Sequence, residues 1–270
     1  GSPFTPPLPG PFMAPIDRLG RNQDRYSRLA RRHHPGPTWS LARVFVVLWL
    51  YRTMAQNSKP IIVFDSGIGG FSIYRPLKLA LPEENIVYMS DPAGFPYGDK
   101  TPSWLSNRFK ELATQFMVLS PKLVVLACNS ATTNIINELR QSLTCPVVGV
   151  EPVIKPLAKY TKSLALMTES SANSATTKSM LAQYGDHVQV YTPHGLAIAI
   201  EYNNYDQVKK SIHEIKEIVQ NQGIEAVGLS CTHYPLVLSE LECAMPGVTF
   251  IDPSDAVVRE CLRVLKSTKI

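Results

Sequence analysis

From residue 59 onward, short continuous apolar runs alternate with longer stretches in which apolar residues recur at helical spacing. The spacing of Leu105, Phe109, Leu112 and Phe116, for example, predicts a helix. Strands rich in Val, Ile and Leu that alternate with helices favour an α/β fold with mainly parallel sheets covered on both faces. The predicted strands are 60–64, 85–90, 122–127, 146–150, 163–168, 187–192, 225–230 and 247–252.

Two of the predicted strands end in the same way, with an apolar run, a small residue, a cysteine and a polar cluster. LVVLACNS ends at Ser130 and AVGLSCTH ends at His233, so that Cys128 and Cys231 are 103 positions apart. This recurrence predicts two facing, pseudo-symmetric α/β domains with the active site between them. We expect the first domain to span 54–150 plus 253–270, because the last helix is predicted to return to it, and the second to span 151–252.

Residues 1–53 differ in composition from the rest of the chain. They hold eight arginines, no lysine and two aspartates, a net +6, so the chain's +5 leaves −1 for the remainder. The charge therefore does not indicate a nucleic-acid-binding protein, and we interpret 1–53 as a non-functional extension, typical of vector-derived or read-through sequence. A targeting peptide is a weaker alternative. The apolar run 44–51 is too short to span a bilayer and favours a short amphipathic or packed helix.

The two strand-end cysteines are candidates for acid–base chemistry. Ligands of open α/β sheets bind at the carboxyl ends of the strands, so two such thiols can face one small molecule and move protons on its opposite faces. Cys128 precedes a predicted helix start, where the helix dipole is expected to lower the thiol pKa. His233 lies two residues beyond Cys231 and can tune that thiol or assist proton transfer. The alternative is that both cysteines are inert core residues.

Two loops add candidate site residues. The first predicted strand runs into DSGIGG at 65–70, whose glycines permit a tight turn with amides free to meet an anion. Asp65 is either a helix cap or a site residue, and we favour the site. After the second strand, Tyr97 and Gly98 either present a hydroxyl and an amide to the site or pack within their loop.

The remaining cysteines lack this context. Cys145, Cys243 and Cys261 are assigned to packing, and the five cysteines together show no zinc-ligand spacing, so no metal is expected. Reduced thiols in a cytoplasmic protein are the simplest interpretation.

With FDSGIGG, PYGDKT, ACNSAT and SCTHYP in this order, residues 59–270 resemble the cofactor-independent aspartate/glutamate racemases, and glutamate racemases most closely. The resemblance implies that Cys128 and Cys231 are the catalytic acid/bases, that they take the α-proton from D- and L-glutamate respectively, and that Asp65 and His233 assist them. It implies Glu201 as support for the second thiol. It further implies substrate contacts at Asp65, Ser66, Tyr97, Gly98, Asn129, Ser130, Thr132, Thr232 and His233.

The resemblance also sets expectations for cofactors, partners and cellular role. It implies no cofactor, glutamate as the small-molecule substrate, no nucleic-acid or membrane partner, a possible homodimer, and supply of D-glutamate for peptidoglycan in cell-wall biogenesis and cell shape. Ser130 stands where the family usually has threonine, and Ser230 stands where glycine is common before the second cysteine. The alternatives are a racemase of aspartate, another dicarboxylate or a hydantoin, and an inactive binding relative.

Overall fold

Two sheets form the framework of the chain. The structure is a computed structural model that describes residues 45–46 and 59–267. The strands are β1 (Phe45–Val46), β2 (Ile61–Asp65), β3 (Ile86–Ser90), β4 (Leu123–Leu126), β5 (Val147–Gly149), β6 (Ser163–Met167), β7 (Gln189–Tyr191), β8 (Ala226–Ser230) and β9 (Thr249–Ile251). Strand order in the first sheet is β1-β3-β2-β4-β5, and in the second it is β7-β6-β8-β9.

Strands β2–β9 confirm the eight predicted strands and the mainly parallel α/β fold. Every pairing among them is parallel, with Val63 opposite Val125 in the first sheet and Ala165 opposite Gly228 in the second. Each four-strand set has the same order, in which the first strand of the set lies between the second and the third. The carboxyl end of each third strand, which leads to a cysteine, therefore lies beside the end of a first strand.

Strand β1 corrects the prediction for the apolar run 44–51. A short helix was expected there, but Phe45 and Val46 pair antiparallel with Ser90 and Met89 of β3. The physical reason is that β3 would otherwise present an unpaired backbone edge, which readily accepts another strand, and Phe and Val favour extended backbone. The other residues of the predicted extension 1–53 lie outside the described residues.

Ten α-helices within the described residues connect and cover the strands. Their ends follow local capping rules: Thr101 accepts a hydrogen bond from the Trp104 amide at the start of the helix that follows it, and Gly223, at φ 66°, ends the helix that precedes it. No helix among these residues is long and apolar enough to cross a membrane. The helices are α1 (Phe71–Ala80), α2 (Pro102–Val118), α3 (Asn129–Ser142), α4 (Ile154–Leu157), α5 (Glu169–Asn173), α6 (Ala175–Tyr184), α7 (Leu196–Glu201), α8 (Tyr205–Gln222), α9 (Leu238–Ala244) and α10 (Ser254–Ser267).

Both faces of the central strands β2, β4, β6 and β8 are buried, which explains their continuous apolar runs. In β2, Ile62 and Phe64 pack towards α2 and α3, whereas Ile61 and Val63 pack towards α1 and α10. In the second sheet, one face packs against α7, α8 and α9 and the other against α4 and α6. Helix α10 thus follows the last strand of the second sheet but covers the first sheet.

The connection between β5 and β6, which begins at Val150, leads the chain from the first sheet to the second. The hydroxyl of Ser230, fully buried at the end of β8, accepts a hydrogen bond of 3.1 Å from the Val153 amide of this connection. The division into domains 54–150 plus 253–270 and 151–252 stays a prediction.

Candidate active site

The first sheet places a carboxylate beside a thiol. Asp65 ends β2 and is fully buried, and Cys128 directly precedes α3 with 5% of its surface exposed. The Ser66 amide donates a 2.7 Å hydrogen bond to Asp65 Oδ1, and the Asp65 and Cys128 side chains are in hydrogen-bond contact. Burial raises the pKa of Asp65 to about 6, against the opposing effect of the nearby positive charge of His233. The carboxyl is therefore poised to exchange a proton near neutral pH.

The pKa of Cys128 corrects an expectation. The helix start was predicted to lower it, but burial raises the pKa of this thiol well above its usual value, and the negative charge of Asp65 raises it further. The hydrogen bond from the Ala131 amide lowers it, in the expected direction, but burial has the larger effect. Cys128 is thus held as a neutral thiol, a potential proton donor.

The second sheet places an imidazole beside the other thiol. Cys231 follows β8 with 6% of its surface exposed, and His233 is 2% exposed. Burial alone disfavours the charged imidazole, but hydrogen bonds to Cys231 and Glu201 overcome it and raise the pKa of His233 to about 10. The Glu201 Oε2 atom lies 2.8 Å from His233 Nε2. Cys231 therefore has a cation as its neighbour, whereas Cys128 has a carboxyl group.

The two strand-end regions contact each other directly. Thr232 donates a 3.1 Å hydrogen bond to Asp65 Oδ2, so the second sheet's cysteine loop reaches the first sheet's carboxylate. The Ser130 and Thr168 hydroxyls are 2.8 Å apart. The amides of the DSGIGG turn were predicted to meet an anion, and the Ile68 amide donates to the carboxylate of Glu201 at 2.8 Å.

One cavity between the two sheets is lined by both Cys128 and Cys231, and the charge of Cys231 further raises the pKa of Cys128. The two residues thus line the same small volume. Among the residues suggested by sequence, those that line the cavity are Asp65, Ser66, Tyr97, Gly98, Cys128, Asn129, Ser130, Cys231, Thr232 and His233.

Two suggested residues are positioned differently from the expectation. Thr132 lies outside the cavity lining, because its hydroxyl donates to the Leu126 carbonyl and accepts from the Val150 amide, each at 3.2 Å. Tyr97 lines the cavity, but its hydroxyl donates to Asp91 at 2.7 Å. Both hydroxyls therefore form hydrogen bonds with other protein groups. For the Tyr97 hydroxyl, this agrees with the alternative that the side chain packs within its own loop.

The partner of Tyr97 belongs to a buried ion pair that sequence reasoning missed. Asp91 is fully buried and receives two hydrogen bonds from Arg108 of α2, at 2.6 and 2.7 Å. The Gly94 and Phe95 amides donate to the Asp91 carbonyl. The pair therefore fixes the loop that carries Tyr97 to the cavity. Charges 17 positions apart on different elements give no local pattern, so no sequence signal pointed to it.

Asn129 lines the cavity and, within 59–267, has a side-chain acceptor without a partner. Its Nδ2 donates to the Val150 carbonyl at 3.0 Å, while its buried Oδ1 has no hydrogen-bond partner among the residues that the structure describes. Because an unpaired buried acceptor is costly, this oxygen suits a ligand that brings an N–H donor, such as an ammonium group.

We call the parts of the chain that hold the first and the second sheet the first half and the second half. The second half also lines the cavity with residues that sequence reasoning did not propose. They follow β6 and β7 and could have been found by the same strand-end rule. The additional residues from these strand ends include Thr168, Glu169, Thr192, Pro193, His194 and Gly195.

Within 59–267, no three His, Cys, Asp or Glu side chains are grouped to hold a metal ion.

The other cysteines are free thiols, like the two in the cavity. Cys261 is fully buried in the core between α10 and the first sheet, and Cys145 is partly buried. The packing assignment was wrong for Cys243, which is exposed because it lies on the solvent side of α9.

Comparison with known proteins gives a consistent family. The family model described as Asp/Glu/Hydantoin racemase matches residues 79–261. The glutamate racemase of Pseudomonas putida (strain W619) is 33% identical over 226 residues, which cover 80% of this chain and 85% of that protein.

Solved structures agree with the sequence relatives. The Escherichia coli glutamate racemase, in complex with L-glutamate and the activator UDP-MurNAc-ala, superposes with a TM-score of 0.68 at 29% identity, covering 77% of this chain and 83% of that one. The Francisella tularensis glutamate racemase in complex with D-glutamate gives 0.68 at 25% identity, covering 78% and 82%. The present chain belongs to the Asp/Glu/Hydantoin racemase family.

Proposed function

We propose that this protein interconverts L-glutamate and D-glutamate by a cofactor-independent proton transfer at the α-carbon, with Cys128 and Cys231 as the two acid/bases. The observation that carries the proposal is the single cavity lined by two thiols, one from the equivalent strand end of each sheet. Racemisation requires a proton to leave one face of the α-carbon and another to arrive on the opposite face. Two groups on facing walls meet that requirement without any movement of the substrate.

One turnover from L-glutamate needs only the two sulfur atoms as proton carriers. The Cys231 thiolate takes the α-proton, the C–H bond breaks, and its electron pair remains on the α-carbon, delocalised into the carboxylate. The Cys128 S–H then gives its proton to the opposite face and forms the new C–H bond. The products are D-glutamate, a Cys231 thiol and a Cys128 thiolate, and the reverse reaction starts from this state.

The neighbours of the two thiols support this assignment of roles. The His233 imidazolium, with its pKa raised to about 10, is in hydrogen-bond contact with Cys231, the sulfur that takes the α-proton of L-glutamate in this proposal. Burial and the negative charge of Asp65 keep Cys128 protonated, so that this thiol can give its proton to the face opposite Cys231. A cavity walled by buried groups further strengthens hydrogen bonds to the developing charge.

We assign substrate binding to polar groups of the cavity wall. The Asn129 Oδ1 atom is a buried acceptor suited to the α-ammonium group. The Ser66 and Ser130 hydroxyls and the backbone amides of Gly98 and Thr232 are donors for the two carboxylates. Thr132 is left out of this set, because its hydroxyl binds the backbone.

The cellular role is proposed on the family membership. D-glutamate made by this reaction would be used in peptidoglycan synthesis, and the enzyme would work in the cytoplasm, where free thiols such as its five cysteines persist. Homodimer formation remains a prediction. Growth of a D-glutamate auxotroph carrying this gene, compared with a Cys128→Ala copy, tests the cellular role.

Circular dichroism of the purified protein tests the activity. With L-glutamate, and separately with D-glutamate, the ellipticity should decay to zero. In D₂O, the product enantiomer should carry an α-deuteron while the remaining substrate does not, because the two faces use different thiols. Decay with aspartate but not glutamate would replace the proposed substrate. No decay with any dicarboxylate would leave a binding relative.

A further inference from the structure

A short hydrogen-bonded bridge crosses between the two sheets behind the cavity. The carboxylate of Glu201, at the end of α7 in the second half, accepts a 2.8 Å hydrogen bond from the Ile68 amide of the first half. The same Oε2 atom lies 2.8 Å from His233 Nε2. Glu201 therefore joins the glycine turn of one half to the imidazole that contacts Cys231.

The glycine turn is shaped to receive this pair. A Cβ at Gly67 would collide with the Glu201 carboxylate, and a Cβ at Gly69 would collide with the His233 ring and the Thr232 hydroxyl. A side chain at Gly67 would displace the Glu201 carboxylate, and one at Gly69 would displace the His233 ring. The turn was interpreted from sequence as an anion-binding loop, and the anion that it binds is a carboxylate of the opposite half.

The bridge is buried and complementary in charge. His233 is almost fully buried and Glu201 is 15% exposed. The Phe95 ring of the first half lies 5.5 Å from the imidazole ring and shields it on another side. Charge-assisted hydrogen bonds are strong in such surroundings. Because donor and acceptor belong to different halves, the bridge exists only while the halves are held at this separation.

We propose that Gly67, Ile68, Glu201 and His233 form a cross-cleft clasp that couples closure of the two halves to the placement of the His233 imidazole beside Cys231. Gly67 and Glu201 are then positioning residues that do not themselves touch the substrate: neither is among the residues lining the cavity. The clasp rests on the proposed function for its catalytic consequence, but its existence is measurable without any substrate.

Hydrogen exchange at the Ile68 amide tests the clasp itself. In the wild-type protein this amide should be protected, and in Glu201→Ala its exchange, followed by NMR, should be at least about tenfold faster because its acceptor is gone. Adding L-glutamate to the wild type should slow exchange further as the halves close. Equal exchange rates in the wild type and Glu201→Ala would overturn the clasp, whether or not the protein proves to be a racemase.

Kinetics of a double-mutant cycle test the coupling. Glu201→Gln and Gly67→Ala should each lower kcat/KM by about a hundredfold, since small displacements of catalytic groups have such effects, and the loss should fall mainly on kcat. Glu201→Asp withdraws the carboxylate from the new methyl group, so Gly67→Ala/Glu201→Asp should recover at least about tenfold over Gly67→Ala alone. Melting temperatures and far-ultraviolet circular dichroism show whether each variant is folded.

The chain offers a matched control for the glutamate substitution. Glu217 and His213 form an exposed Glu–His pair on α8, with Oε1 and Nε2 3.5 Å apart, and Glu217→Gln should keep wild-type kinetics. Wild-type kcat/KM in folded Gly67→Ala, or strictly multiplicative effects in the double variant, would overturn the coupling. Absence of racemisation in the wild type would contradict the proposed function and leave the exchange experiment as the test of the clasp.

Discussion

The two strand ends that carry the thiols have the same topology and opposite electrostatics. In each half the cysteine follows the third strand, next to the first strand. In the first half the thiol contacts the Asp65 carboxyl group, whereas in the second it contacts the positively charged His233. A symmetric framework thus places a carboxyl group beside one thiol and a cation beside the other.

In the proposed mechanism, this difference lets one cavity act on two mirror-image substrates. If both thiols had the same neighbour, both would prefer the same protonation state, and the resting enzyme would lack either its base or its acid. An anionic neighbour on one wall and a cationic one on the other distribute a single proton between two sulfur atoms. The backbone supplies the facing geometry, and the side chains next to the thiols supply the asymmetry.

Among the changes that test this comparison, removal of either thiol should have the largest effect on the racemisation rate. Cys128→Ala and Cys231→Ala should each reduce racemisation by at least about 10³-fold in both directions, because a missing acid/base typically costs 10²–10⁴-fold and each turnover needs both groups. Polarimetric assays from both enantiomers measure this. The exposed Cys243 provides the matched control, since Cys243→Ala should remain fully active. Wild-type turnover in either cavity variant would contradict the two-thiol assignment.

Replacing the charged neighbour of each thiol separately should show what Asp65 and His233 each contribute. Asp65→Asn and His233→Asn should each lower kcat/KM by about 10²-fold. The loss must be equal from L- and D-glutamate, because enantiomers have the same free energy and the equilibrium constant is one. The asymmetry should appear instead in the primary isotope effect of α-deuterated substrate.

The expected isotope effects differ between the two variants. His233→Asn should slow the step at Cys231 and raise the isotope effect with α-deuterated L-glutamate, whereas Asp65→Asn should raise it with the D-enantiomer. Separate initial-rate measurements on each labelled enantiomer decide this. If the same enantiomer became more sensitive in both variants, the assignment of one neighbour to each thiol would be wrong.

The sequence predicted the features of the two strand ends that depend on neighbouring residues, and it missed those that depend on residues distant in sequence. The strands and their terminal cysteines were predictable because continuous Val, Ile and Leu runs and the strand-end rule are local patterns. The bond between Ile68 and Glu201 joins positions 133 apart, and no local pattern indicates it. The raised pKa of Cys128 was missed for a related reason: burial depends on the whole fold, whereas the helix start is visible in the sequence.

The pH dependence of stability should separate the two neighbours further. Folding raises the pKa of Asp65 from 3.8 to about 6, so its stabilising contribution is complete below pH 3.8 and is lost as pH rises through 6. Asparagine cannot ionise and avoids this loss. Asp65→Asn should therefore be more stable than the wild type at pH 8, by up to about 3 kcal/mol, although it is less active. Urea unfolding between pH 4 and pH 8 measures the difference.

His233 should respond in a higher pH range. Its pKa rises from 6.5 to about 10 on folding, so its contribution is complete below pH 6.5 and is lost as pH rises through 10. The stability advantage of the wild type over His233→Asn should shrink across that range and stay constant below it. An advantage that grew as pH rose towards 6.5 and then stayed constant would mean that the imidazole is buried in its neutral form.

The residues that directly precede the two thiols also differ, and we expect this difference to have the smallest effect. Ala127 precedes Cys128 and Ser230 precedes Cys231, and both are fully buried. The Ser230 hydroxyl accepts from the Val153 amide, in the connection between the two sheets. Ser230→Ala makes the second strand end resemble the first and leaves that amide without its acceptor, which should cost about 1–2 kcal/mol in the free energy of unfolding.

Urea titration of Ser230→Ala, with the exposed Ser239→Ala as control, measures this cost. The control should change stability by less than about 0.5 kcal/mol. Ser230→Gly should be less stable again, since glycine adds backbone freedom to the unfolded chain. Because the hydroxyl ties the thiol-bearing strand to the connection and lies outside the cavity lining, kcat/KM should change by no more than a few-fold. A stability of Ser230→Ala equal to that of the wild type would mean that the hydroxyl does not hold the second strand end to the connection, and that the two strand ends differ only in the charge beside their thiols.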